Sequence, residues 1–274
     1  MPGAPEIAFT YDHRVGDDGS ITFRCLGDVA AWPWLELPPC HPIVVQTISY
    51  WISVECSAAR GSLDQSKWSA MTWMDWECGD PDAGHAASGT MEGTGSGDKL
   101  GFLITLHDAK NRLVCRIHGR GVVFRTRDFE GWRKQAKEKL AVDAGLQDFV
   151  FAEVAAVGAP PGEHALIAPL SDDPPIHADA LVTAANGLPP ASRYMSGSGD
   201  HVNTTHLGEA CRQFAALLLH DPAIRFSGGE MHFNRYIELN VPFRLQCVSQ
   251  SDERLDLTIS QAGRECMRAA LRIA

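Results

Sequence analysis

The 274-residue chain lacks several features that would assign it to a class at once. Its eight cysteines form no CxxC pair and none lies with histidine at the spacing of metal ligands, which argues against a metal site. No apolar run approaches the roughly 18 residues that a membrane span requires. The N-terminus lacks the basic start and the apolar segment of a secretion signal. We therefore expect a cytoplasmic protein with reduced thiols, no metal, no bound cofactor and no membrane contact.

An excess of positive charge is also missing, since the formal net charge is -10 at pH 7. Phosphate contacts dominate the affinity for nucleic acids, so this balance argues against a nucleic-acid partner. One stretch departs from it, because ten basic residues between Lys110 and Lys139 stand against three acidic ones. This basic stretch would suit the phosphates of coenzyme A or an acidic carrier protein. The alternative is an ordinary solvated strand edge and helix face.

Hydrophobic periodicity divides the chain into two similar halves, each with one long helix followed by a run of antiparallel strands. The predicted fold class is α+β, with an N-terminal module over 1–142 and a C-terminal module over 143–274. Helices are predicted over 42–58, 129–140 and 204–220. Strands are predicted over 7–11, 20–25, 67–77, 86–93, 100–108, 112–127, 149–157, 230–237, 243–249, 255–261 and 265–273.

The segment from Asp200 to Gln213 carries the strongest functional pattern. At about 100° per residue, Glu209, Arg212 and Gln213 fall on one face of helix 204–220, opposite an apolar face. Helix 42–58 has a comparable polar face with Gln46, Ser49 and Tyr50. We predict that both polar faces contribute to a substrate site.

The start of helix 204–220 has the elements of a site for a carbonyl group. A helix N-terminus offers backbone N–H donors with partial positive charge, and Asn203 and Gly208 would border that end. Glu209 would act as general base, or would only complement the helix dipole. Arg212 would pair with Glu209 or hold a substrate oxygen, and Gln213 would bind the same oxygen or a neighbouring backbone group.

Two histidines precede the predicted helices. His201 lies beside Asp200, a pair that would orient an imidazole for proton transfer, although Asp200 or Asn203 would also serve as a helix cap. His41 stands in a proline-rich loop before helix 42–58 and is either an acid–base group or a loop residue without chemistry. Tyr50 would project into the pocket or belong to the core.

The order of elements, present twice, resembles a tandem hot dog fold: two fused modules, each an antiparallel sheet wrapped around a long central helix. Glu209-Ala210-Cys211-Arg212-Gln213 resembles the E-A-x-R-Q helix of the AfsA-type hot dog domain. Asp200-His201-Val202-Asn203 is similar to the D-x-HVN element of hot dog acyl thioesterases. The loop with His41 is similar to the histidine loop of hot dog dehydratases.

The chain also departs from the AfsA-type pattern. In that family both helices tend to carry the acid and the arginine, but Gln46 and Ser49 occupy the positions that match Glu209 and Arg212. One of two quasi-equivalent sites is therefore expected to be degenerate.

The resemblance implies an enzyme that acts on an acyl thioester of coenzyme A or of an acyl carrier protein, with phosphopantetheine entering only as part of the substrate. Acyl transfer in a biosynthetic pathway is the first expectation. Thioester hydrolysis is the second, and dehydration or isomerisation of a β-hydroxyacyl chain is the third. A non-catalytic binder of acyl groups or carriers is the remaining alternative. Two modules in one chain would form a monomeric pseudo-dimer or assemble into a homodimer.

Overall fold

A computed structural model describes residues 7–63, 69–94, 100–124, 131, 133–135, 137–138, 149–197 and 199–274. The chain forms two compact units. The first comprises Met1–Arg125 with Phe226–Glu230, and the second comprises Thr126–Arg225 with Met231–Ala274. The predicted module boundary between 142 and 143 lies outside the described residues, so it stays a prediction.

The first unit is a large antiparallel sheet with one long helix. Its strands lie in the order β1-β2-β4-β5-β6-β3, and each neighbouring pair is antiparallel. The strands are β1 (Thr10–Val15), β2 (Ile21–Cys25), β3 (Ser69–Cys78), β4 (Ser88–Gly93), β5 (Leu100–His107) and β6 (Leu113–Val123). A 3-10 helix covers Pro33–Glu36, and the long helix α1 covers Pro42–Ala59.

Helix α1 begins where its sequence predicts. His41 has extended backbone and its side chain accepts a hydrogen bond from the Ile43 N–H at 3.3 Å. Pro42 fits the first helical position because the N–H that proline lacks would have no helical partner there. The helix packs against β1 and β4. A neighbouring cluster of aromatic rings, buried rather than lining a surface, adds to the core through Phe9, Trp32 and Trp34.

The second unit has a smaller antiparallel sheet and a second long helix. Its strands β9 (Phe243–Gln250), β10 (Arg254–Gln261) and β11 (Arg264–Ile273) form antiparallel pairs around β10, and β7 (His177–Ala180) pairs with β9. Strand β8 (Phe226–Phe233) contributes its last three residues to this unit. The helices are α2 (Ala184–Gly187) and α3 (Thr204–Leu219). The described residues between 131 and 138 are helical, as predicted for that segment.

Two sequence-based assignments in this unit need correction. The predicted strand over 149–157 is wrong, because the segment is irregular and ends in turns. Its apolar side chains misled the prediction, since Val150 is 70% exposed and Phe151 is 37% exposed. Strand β7 was not predicted, because four residues within a proline-rich region carry too little alternation to indicate a strand.

In both units the long helix and the antiparallel strands agree with the predicted α+β class. That the units are fused hot dog modules, each with its sheet around a central helix, stays a prediction. None of the helices described is long and apolar enough to cross a membrane.

Candidate functional site

The N-terminus of α3 is held by a reciprocal cap. The Asn203 side-chain oxygen accepts from the His206 N–H at 3.1 Å, and the Asn203 N–H donates to His206 Nδ1 at 3.2 Å. His206 Nε2 lies 2.6 Å from the Gly187 carbonyl oxygen. Since Nδ1 accepts a hydrogen bond, Nε2 carries the proton and donates it to that carbonyl. Burial lowers the pKa of His206 to about 4, which keeps the imidazole neutral.

The predicted substrate-binding role of Asn203 must be reconciled with this cap. Its side-chain oxygen holds the first turn of α3, and its amide nitrogen donates to the Ser196 carbonyl. Gly208 lies in the buried part of the same helix. The structure therefore shows a capping role for Asn203, while direct substrate contacts of Asn203 and Gly208 stay predictions.

The predicted pair of His201 and Asp200 is present immediately before the cap. His201 Nδ1 lies 3.2 Å from Asp200 Oδ2, and the two side chains are 28% and 26% exposed. The His201 ring meets the Tyr236 ring edge-to-face, with centroids 4.7 Å apart. When the imidazole is neutral, Nδ1–H donates to Asp200 and Nε2 presents its lone pair. Among the described residues none is hydrogen-bonded to Nε2.

Asp200 is held in place by two cations from the described part of segment 131–138. Arg133 donates from Nε to Asp200 Oδ2 at 3.1 Å and from Nη2 at 3.0 Å. The Lys137 ammonium binds the other carboxylate oxygen of Asp200. Arg133 also donates to both oxygens of Glu238, at 2.7 Å for Nη2 to Oε2. Its guanidinium carbon lies 4.3 Å from the centroid of the Tyr236 ring, a cation–π contact.

Electrostatics separate the protonation states of the pair. Burial alone would raise the pKa of Asp200, but Lys137 and Arg133 outweigh it and lower the pKa to about 2. Burial lowers the pKa of His201, and the carboxylate of Asp200 opposes this shift only in part. At neutral pH the pair is therefore an ionised aspartate beside a neutral imidazole, the form in which a histidine accepts a proton.

Sequence reasoning missed four members of this cluster: Arg133, Lys137, Glu238 and Tyr236. Arg133 belongs to the basic stretch, but its partners are 67 and 105 residues away along the chain. No local spacing in the sequence indicates such a contact. The signal would have been a charged residue on the apolar side of a short polar helix. The sequence alone does not show which side of this helix is apolar.

The predicted polar face of α3 is a closed network. Glu209, Arg212 and Gln213 are 1%, 3% and 0% exposed. Arg212 donates to Glu209 from Nε at 2.8 Å and from Nη2 at 2.6 Å. Gln213 Nε2 donates to Glu209 Oε1 at 3.0 Å. Burial alone would lower the pKa of Arg212, but Glu209 raises it, so the arginine stays charged.

Two of these side chains, Arg212 and Gln213, connect α3 to the irregular segment 157–166. Arg212 Nη2 donates to the carbonyl oxygens of Val157 at 2.9 Å and Gly158 at 3.0 Å. Gln213 accepts from the Leu166 N–H at 2.7 Å and donates to the backbone of His164 at 3.1 Å. Gln213 therefore satisfies backbone groups, the second of its two predicted roles. The catalytic roles of Glu209 and Arg212 stay predictions beside a bracing role that the contacts show directly.

The candidate residues of the first unit lie in unlike environments. Gln46 and Ser49 are each 1% exposed, whereas Tyr50 is 48% exposed and meets the Trp51 ring edge-to-face with centroids 5.2 Å apart. Tyr50 therefore does not share the buried surroundings of Gln46 and Ser49. His41 caps α1, which accounts for one of its ring nitrogens. Substrate contacts of Gln46, Tyr50 and His41 stay predictions.

The basic stretch is less positive in the structure than along the chain. Arg112 is paired with Asp108 at 2.8 Å, and Arg116 faces Glu77 across neighbouring strands. Arg133 and Lys137 are committed to acids from elsewhere in the second unit. Ion pairs are formed by four basic residues of the described part of this stretch: Arg112, Arg133, Lys134 and Lys137. The residues 125–130 and 139 lie outside the described residues.

Within the described ranges, no group of three or more His, Cys, Asp and Glu side chains could hold a metal ion. The absence of a bound cofactor is not tested and stays an expectation.

Solved structures resemble this fold over most of its length. An acyl-ACP thioesterase from Bacteroides thetaiotaomicron matches with a TM-score of 0.59 at 11% identity, over 93% of this chain and 97% of that one. A 12:0-ACP thioesterase from Umbellularia californica matches with a TM-score of 0.51 at 12% identity, over 85% and 89%. A variant of the PpsC dehydratase domain from Mycobacterium tuberculosis matches with a TM-score of 0.51 at 12% identity, over 97% and 98%.

These neighbours are hot dog fold proteins, so the predicted hot dog fold is confirmed at the level of the fold. Identities this low establish architecture and not reaction. No protein-family model matches the chain, and no curated protein sequence matches it. The resemblance to the AfsA-type family stays a prediction.

Proposed function

We propose that this protein is a hot dog enzyme that hydrolyses acyl thioesters, with His201 as general base. The observation that carries the proposal is the neutral, half-buried imidazole, oriented by an ionised Asp200 at the N-terminus of a buried helix. The thioesterases among the structural neighbours support hydrolysis, and acyl transfer receives no comparable support. Of the reactions expected from sequence, hydrolysis therefore takes the place of acyl transfer.

The proposed chemistry uses the His201–Asp200 pair and the N-terminus of α3. His201 Nε2 removes a proton from water as the water oxygen attacks the thioester carbonyl. Asp200 stabilises the imidazolium that forms. The positive end of the α3 helix dipole stabilises the developing oxyanion. Collapse of the tetrahedral intermediate breaks the C–S bond, and the imidazolium returns its proton to the departing thiolate.

The carrier is coenzyme A or an acyl carrier protein, as the sequence predicts. The acyl-ACP thioesterases among the neighbours favour the protein carrier. We further propose that each compact unit is one hot dog module and that the chain works as a pseudo-dimer or as a homodimer. Gel filtration with light scattering distinguishes these two states.

The test is release of free thiol from a panel of acyl-CoA and acyl carrier protein thioesters, read with a thiol-reactive dye. His201→Gln should lower kcat by about 10² or more, as expected when a general base is removed. His164→Gln is the matched control, because His164 is an exposed histidine of the same unit that contributes only its backbone oxygen to the network. Equal kcat for wild type and His201→Gln would contradict the proposal.

Dehydration is the second candidate, since a dehydratase domain has the same fold. A neutral imidazole can remove a Cα proton as well as a water proton. Incubation with a β-hydroxyacyl thioester separates the two reactions. Loss of water with the thioester intact would establish dehydration, and thiol release only in the presence of a hydroxyl acceptor would restore acyl transfer. Binding of the thioester without any turnover would establish a non-catalytic binder.

A further inference from the structure

Two cysteines of the first unit lie close together although 37 intervening residues separate them in sequence. Cys40 stands in the loop before α1, directly ahead of the capping residue His41. Cys78 is the last residue of β3. Both thiols are reduced and half-buried, unlike the buried Cys25 and Cys115 of the same unit.

The two cysteines lie near the beginning of β6. Cys78 lies opposite Cys115 in the antiparallel register of β3 and β6, and the next residue, Gly79, donates its N–H to the Val114 carbonyl at 2.8 Å. The Cys40 thiol approaches the same Val114 carbonyl oxygen, with Sγ at 3.8 Å. The Cys78 thiol approaches the Phe226 carbonyl oxygen, with Sγ at 3.4 Å. Both cysteines therefore lie beside the first residues of β6.

The thiols differ in pKa, and this difference determines which of them reacts first. The neighbouring Cys78 side chain lowers the pKa of Cys40, against the opposing effect of partial burial. Burial raises the pKa of Cys115, and it raises the pKa of Cys25 to about 12. Because the thiolate is the nucleophile in disulfide exchange, Cys40 is the first to react and Cys78 is in position to resolve.

We propose that Cys40 and Cys78 form a reversible disulfide by exchange with a low-molecular-weight disulfide such as oxidised glutathione. The Cys40 thiolate attacks one glutathione sulfur, forms a mixed disulfide and releases one glutathione thiolate. Cys78, after losing its proton, attacks the Cys40 sulfur and displaces the second glutathione. Two protein thiols are oxidised, and one glutathione disulfide is reduced to two thiols. The new bond links the loop that caps α1 to the end of β3.

The experiment equilibrates the full chain with mixtures of oxidised and reduced glutathione, blocks free thiols with N-ethylmaleimide and assigns proteolytic peptides by tandem mass spectrometry. The expected product is a peptide pair joined through Cys40 and Cys78, lighter by about 2 Da than the two reduced peptides. Reduction with dithiothreitol should restore both thiols.

Two variants and a control separate the steps. Cys78→Ser should stop at a glutathione adduct on Cys40, and Cys40→Ser should leave Cys78 largely unmodified. Cys247→Ser is the matched control, because Cys247 is a half-exposed thiol of the second unit whose pKa is raised by burial. It should leave the Cys40–Cys78 product unchanged. Full labelling of Cys40 by N-ethylmaleimide at every glutathione ratio, or a Cys78–Cys115 product instead, would overturn the proposal.

Discussion

The substitution Glu209→Gln distinguishes a general base from a structural brace. Glutamine keeps the shape of the side chain and removes its charge, which leaves the Arg212 guanidinium buried without its anion. Removal of one partner from a buried ion pair costs about 3–5 kcal/mol. Arg212 keeps its bonds to the Val157 and Gly158 carbonyls. We therefore expect the lower end of that range for the free energy of unfolding.

A loss of about 3 kcal/mol corresponds to a fall in Tm of about 6–12 °C for a chain of this size. Urea unfolding and a thermal scan measure both quantities. Asp179→Asn is the control, because Asp179 pairs with Arg244 at 2.8 Å but their side chains are 42% and 48% exposed. An exposed pair contributes less than about 1 kcal/mol, so this variant should unfold almost as the wild type does.

Turnover decides between the two roles. For a brace, kcat of Glu209→Gln, measured by thiol release where the variant is still folded, should stay within about tenfold of wild type, since the proposed general base His201 is unchanged. A loss of about 10² or more in kcat with an unchanged free energy of unfolding would refute the bracing argument and make Glu209 the base.

Two further predictions concern stability. Burial lowers the pKa of His206 to about 4 from 6.5, so between these values the unfolded chain binds a proton that the native chain does not. The free energy of unfolding should therefore fall by about 3 kcal/mol as the pH is lowered through this window. A plot of the urea midpoint against pH should have a smaller slope for His206→Gln than for wild type. An equal slope would argue against the buried neutral imidazole. In the first unit, a Cβ at Gly229 would lie 2.3 Å from a ring carbon of the fully buried Trp76. Gly229→Ala should lower the free energy of unfolding by about 1–3 kcal/mol through overpacking. Gly27→Ala, where the added Cβ would have no atom within 4 Å, should not shift the urea midpoint. Equal urea midpoints for the two variants would contradict this prediction.

The fold could be predicted where burial follows a regular period. Helix α1 and helix α3 were located within one residue of their ends, because a face of apolar side chains recurs with the helical repeat. Strand β6 was located from alternating side chains. The same reasoning failed for segment 149–157, because Val150, Phe151 and Val154 are exposed and the backbone is irregular, with the Val157 carbonyl accepting a hydrogen bond from Arg212. Arg212 is 55 residues away from Val157 in sequence, so the local pattern of residues does not indicate this contact.

The site shows why spacing predicts neighbours but not roles. Residues three and four apart on a helix meet, so the contact of Glu209 with Arg212 and Gln213 follows from sequence. What each group does depends on its remaining hydrogen bonds. The carboxylate of Glu209 accepts two bonds from a guanidinium and one from an amide, so its oxygens are engaged within the buried network. His201 is oriented at one ring nitrogen by a carboxylate that Arg133 keeps ionised, which leaves its other nitrogen basic. The imidazole, and not the buried acid that the helical pattern favours, is therefore the stronger candidate to accept a proton from water.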